Sequence, residues 1–95
     1  PLIYTQLAGS NNAGVPLVGR AQWEAWQEDA ELVLACPQYQ FPYVDVFHLT
    51  EPGYRWLGQM VGKVAFLSRY LGQQWKPLHP ISAKQRAGNV LTIKF

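Results

Sequence analysis

The spacing of apolar positions changes period along the chain and marks out its elements. Leu2-Ile3-Tyr4-Thr5-Gln6-Leu7 is a mostly apolar run with β-formers at its centre, which predicts a strand buried in a parallel sheet. Ala8 to Pro16 is small, polar and rich in turn formers, and predicts a loop. From Leu17 to Ala30 the period lengthens. Trp23, Trp26 and Ala30 recur at helical spacing, while Arg20, Glu24, Gln27 and Glu28 lie mainly elsewhere on the wheel. Leu32-Val33-Leu34-Ala35-Cys36 is a second buried strand, stopped by Pro37. Strand, helix, strand predicts a βαβ unit with parallel strands and a right-handed crossover.

Pro37 to Phe47 reads as a loop. Thr50 is placed to cap a second helix, with Pro52 tolerated in its first turn. That helix is predicted to run to about Leu71, burying Leu57, Val61, Val64 and Leu67 with Met60 and Leu71 beside them, and to end at Gly72. Trp75 to Pro80 is extended, and Gly88-Asn89 is a turn. Val90 to Phe95 alternates, Leu91, Ile93 and Phe95 facing one way, as in a half-buried strand. This strand ends the chain abruptly, so its partner is expected in residues beyond this chain or in an appended β domain.

Ninety-five residues with 48% hydrophobic content suit one small globular unit. A net charge of +2 gives no reason to propose nucleic acid or an acidic membrane as partner. Every apolar run is too short to span a bilayer. The single Cys36 leaves no internal disulfide and no cysteine-based metal site, and at the end of an apolar strand it reads as a core residue.

The candidate chemistry lies in Asp45-Val46-Phe47-His48, a carboxylate and an imidazole on one short loop ahead of a helix. The acid can hold the ring tautomer and the ring can move a proton, which is the base half of a serine-type triad. The spacing predicts a carboxylate oxygen within hydrogen-bonding reach of a ring nitrogen. A nucleophile is harder to place. Ser10 follows a strand in a glycine-containing loop, Ser68 falls inside a helix and Ser82 lies in the C-terminal extension. Asn11 and Asn12 could donate hydrogen bonds to an oxyanion, and loop turn chemistry explains them as well. His79, between Leu78 and Pro80, reads as structural or exposed, and Trp23 and Trp26 read as core.

Asp45-x-x-His48-Leu49-Thr50-x-x-Gly53-Tyr54-x-x-Leu57-Gly58 resembles the last conserved block of the SGNH (GDSL-like) hydrolases, in which the acid and histidine of the triad share one loop. Glu51-Pro52 departs from the usual Pro-Glu order. Upstream, Tyr4-Thr5-Gln6-Leu7-Ala8 and Arg20-Ala21-Gln22 resemble the strand and helix before this block in sialate and carbohydrate O-acetylesterases.

The resemblance implies an α/β fold, the C-terminal part of a parallel three-layer sandwich in residues 1–72, with residues 73–95 forming a short β extension. It implies His48 and Asp45 as catalytic residues. Tyr43 and Phe47, which with Tyr39 and Phe41 surround this loop, are candidates for contact with an acylated carbohydrate, the alternative being that they pack beneath the loop. No metal or organic cofactor is implied. The Gly-Asp-Ser block of the family is absent, so the nucleophilic serine is expected from a missing N-terminal segment, in the same or a companion chain. The alternative is a non-catalytic structural or interaction module, part of a phage tail or cell-surface protein, that keeps the fold.

Overall fold

The computed structural model describes residues 2–7 and 17–95. The loop expected at Ala8–Pro16, with Ser10, Asn11 and Asn12, lies outside the described residues. Strand β1 (Leu2–Gln6) and strand β2 (Leu32–Pro37) pair in parallel, Leu2 opposite Leu32 and Tyr4 opposite Leu34, with helix α1 (Leu17–Glu28) between them in the chain. The register shifts between Tyr4 and Gln6, which brings Gln6 opposite Pro37.

Strand alternation sends successive side chains of β1 to opposite faces. On one face, Tyr4 Oη donates to the Gln22 carbonyl at 2.6 Å and Gln6 Nε2 donates to the Gly19 carbonyl at 2.7 Å, fastening the strand to α1. A Cβ at Gly19 would stand 2.7 Å from the Leu7 carbonyl oxygen, so only glycine allows this approach. Ile3 and Val33 take the other face. They pack with Leu57 and Val61 of helix α2 (Glu51–Ala65) around a core of Ala35, Cys36, Phe41, Leu49 and Val64.

Helix α2 starts as the sequence predicts. Thr50 has extended backbone, and its hydroxyl accepts the Gly53 N–H at 3.2 Å. The helix does not stay regular to Leu71. A π turn takes over at Phe66–Tyr70, Ser68 Oγ donates to the Val64 carbonyl at 2.7 Å, and Gly72 closes the end at φ 62°. Val64 is fully buried, whereas Leu71, expected beside the buried stripe, is exposed.

Two expectations are corrected. The first concerns the partner of strand β4 (Val90–Lys94), which lies inside the chain. Strand β3 (Ser82–Arg86) pairs with it antiparallel, from Ser82 opposite Lys94 to Arg86 opposite Val90. Gly88 at φ 78° and Asn89 at φ 60° make the turn, two residues that tolerate the left-handed region. β4 is also not half-buried, for Leu91 and Ile93 are exposed on the hairpin. The second correction concerns Trp23 and Trp26. They are half-buried and do not enter the core; each packs edge-on against His79, at 5.3 and 5.4 Å between ring centroids. The described chain is thus mixed α/β, with two two-stranded sheets and two helices.

Candidate active site

The segment from Phe41 to Thr50 carries the candidate residues and is folded back on itself. Phe41 and Leu49 are buried at its base. Tyr43 and Leu49 form an antiparallel bridge, Val44 N–H donates to the His48 carbonyl at 2.9 Å, and Thr50 N–H donates to the Pro42 carbonyl at 2.9 Å. Asp45, Val46 and Phe47 are left at the tip. Gly53 locks this base to the start of α2. A Cβ there would stand 2.7 Å from the Pro42 carbonyl oxygen and 3.1 Å from Leu49 Cβ.

At the tip, Asp45 uses both carboxylate oxygens. Oδ1 accepts the backbone N–H groups of Phe47 and His48, each at 2.7 Å. Oδ2 meets His48 Nδ1 at 2.7 Å. The backbone N–H groups of His48 and then Phe47, with the His48 ring after them, hold the Asp45 carboxyl down at about 2. Asp45 is therefore ionised at neutral pH and can only accept, so Nδ1 of His48 carries the proton it donates. That fixes the tautomer and leaves the Nε2 lone pair free as a proton acceptor. Both side chains are open to solvent, His48 at 66% and Asp45 at 51% exposure.

The two residues singled out beside the pair diverge. Phe47 is exposed next to His48 and offers an aromatic surface. Tyr43 packs against the core, and its shielded hydroxyl has no hydrogen-bond partner. Burial, with the neighbouring Tyr54 second, raises its phenol above the ordinary value.

The described residues bring no serine to His48. Ser68 is engaged within its helix and Ser82 lies on β3. Burial pushes the Cys36 thiol up, which suits a core residue and not a nucleophile. Among the described residues, no three histidine, cysteine or carboxylate side chains gather as a metal site. Sequence reasoning gave Gln22 no role, yet its Oε1 accepts the Leu7 N–H at 2.8 Å at the end of β1. It also missed that His79 Nδ1 donates to the Pro77 carbonyl at 2.8 Å and that the ring sits against both tryptophans. A histidine flanked by Leu78 and Pro80 carries no local signal of such a contact.

Compared with known proteins, the chain matches no family model, no curated protein and no solved structure.

Proposed function

We propose that this chain carries the Asp-His half of a serine-type ester hydrolase that removes O-acyl groups, acetyl in particular, from a carbohydrate. The observation that carries the reading is the 2.7 Å contact between Asp45 Oδ2 and His48 Nδ1, with Nε2 left free at an exposed tip. In the proposed reaction Nε2 takes the proton of a serine hydroxyl as the oxygen attacks the ester carbonyl. It then returns that proton to the departing sugar oxygen. Asp45 holds the ring and stabilises its imidazolium form. The serine and the oxyanion donors come from a further segment, in the same or a companion chain. Phe47 is the aromatic surface nearest the acceptor nitrogen in sequence, and the reading gives it the sugar ring.

A fluorophosphonate probe tests this in the full-length protein, because it bonds covalently to an activated serine. The reading expects one labelled serine outside these residues, with labelling lost in His48→Ala. Labelling of Ser10 would move the nucleophile into this chain, and absence of labelling would remove the hydrolase reading.

The alternative, a non-catalytic interaction module, draws its support from the hairpin β3–β4, whose Leu91, Ile93 and Phe95 are exposed.

A further inference from the structure

Charge is divided along this chain. Glu51 is the last acidic residue, and seven of the eight lysines and arginines follow it. The hairpin register puts Lys84, Arg86 and Lys94 on one face with Ser82, Thr92 and the exposed Val90, and puts Ile81, Ala83, Gln85, Leu91, Ile93 and Phe95 on the other. None of these three cations forms an ion pair with a carboxylate among the described residues, where Arg20 pairs with Glu24, Arg55 with Glu51 and His48 with Asp45. Among the named elements the hairpin strands make their extensive contacts with each other, while Phe95 at the chain end borders a hollow walled by Ala35, Cys36, Met60 and Trp75.

The opposite sign collects at the end of α1. Glu28 closes the helix, Asp29 follows it, and no basic residue occupies the last turn. The C-terminal end of a helix dipole is already negative, so two carboxylates there repel the helix end. Both are exposed. Glu28 borders an open hollow of about 620 Å³, with Trp26, Trp75 and the cation Lys76 in its walls.

We propose that the β3–β4 hairpin is a docking arm exchanged between two copies of this chain. Each arm lays its cationic face on the acidic end of α1 in the other copy, and the two arms stack apolar face to apolar face. Three observations favour a second copy as occupant. The chain carries both complementary poles, and among the described residues neither the three cations nor Glu28 and Asp29 form an ion pair, although Asp29 Oδ1 accepts the Glu31 N–H. Exchange about a two-fold axis satisfies them together, and a two-fold dimer is the commonest closed assembly. Stacked arms also cover Leu91 and Ile93, which exposed ion pairs alone would leave in water. Isolated surface pairs contribute little, so the apolar stacking supplies affinity and the charges supply register and rate. This inference stands independently of ester hydrolysis.

Sedimentation of the 95-residue chain tests it. At low salt, about 20 mM, the proposal expects a species of twice the 10.8 kDa chain mass, shifting toward monomer as salt screens the contact at about 500 mM. The variant K84E/R86E/K94E and the variant E28K/D29K should each sediment as monomers at low salt. Mixed in equal amounts they should form a heterodimer, because arm and seat are again opposite in sign in both directions. That recovery also shows that neither variant has lost its fold. A wild-type monomer at low salt, association indifferent to the charge reversals, or variants that stay apart on mixing would each overturn the proposal. So would a monomer that instead binds heparin or duplex DNA through the same three cations, which would make the arm a polyanion site.

Discussion

Asp45 grips His48 twice, one carboxylate oxygen accepting the backbone N–H of that residue and the other its ring Nδ1–H, both at 2.7 Å. Backbone and ring are held by one side chain, so the direction of the imidazole is set within four consecutive residues. Support from the rest of the fold is needed only at the base of the loop.

The first prediction follows from that double contact. In Asp45→Asn the amide oxygen can still accept the two backbone N–H groups, and the amide nitrogen then faces His48 Nδ1 as a donor. Nδ1 must become the acceptor and the ring proton moves to Nε2. Imidazole nitrogen shifts measured by NMR should show the Nδ1–H form in the wild type and the Nε2–H form in the variant. The same tautomer in both would refute the assignment.

The second concerns acid. The Asp45 carboxyl lies at about 2 in the folded chain against 3.8 for the free group. Because the folded value is the lower one, the unfolded chain binds more protons between these values, and the contact stabilises the loop fully only above the upper one. Its contribution should fade as pH drops from about 4 to about 2. The Asp45 side-chain carbon resonance should titrate near the lower value, and the amide resonances of Phe47 and His48 should move with it. Titration at the ordinary value would mean that the two backbone contacts are not held in solution.

The third concerns the base of the loop. Gly53→Ala forces a methyl group against the Pro42 carbonyl oxygen and Leu49, both of which belong to the segment that carries the pair. Overpacking of this kind costs about 1–3 kcal/mol. Thr50→Ala removes the cap of α2 and should cost about 1 kcal/mol. Denaturant midpoints would check both. Gly53→Ala should also broaden or shift the His48 ring resonances, which a change confined to α2 would leave alone.

The sequence made the βαβ unit legible because its apolar runs sit at the right lengths, with Pro37 closing the second. The start of α2 was legible in Thr50 and Pro52, and the Asp45–His48 contact in their spacing. The hairpin was half legible. Gly88-Asn89 marks the turn and Val90–Lys94 alternates, but Ser82-Ala83-Lys84-Gln85-Arg86 has no β-branched or aromatic residue, and it pairs by register with its partner, not by propensity. The π turn at Phe66–Tyr70 leaves no mark on the apolar spacing. The contact of His79 with Trp23 and Trp26 depends on where the Trp75–Pro80 segment runs. Trp75 Nε1 donating to the Ala35 carbonyl at 3.1 Å sets that course. No local pattern encodes a contact across forty residues of sequence.

The fourth prediction is that the 95-residue chain releases no acetate from an aryl acetate or an acetylated sugar. A histidine base accelerates acyl transfer only through a hydroxyl within reach and an oxyanion site already in place. No described serine reaches His48, the hydroxyls of Ser68 and Ser82 lying in the π turn that follows α2 and in β3. Turnover by the purified chain that disappears in Ser10→Ala would make Ser10 the nucleophile.

The most direct measurement is acetate release by the full-length protein and its His48→Ala variant, under conditions where circular dichroism shows the same fold. The account predicts that the variant loses nearly all turnover, a fall of about a thousandfold or more. Asp45→Asn should lower the rate as well, by less where the ring keeps its place through other contacts. Unchanged acetate release by folded His48→Ala would contradict the account.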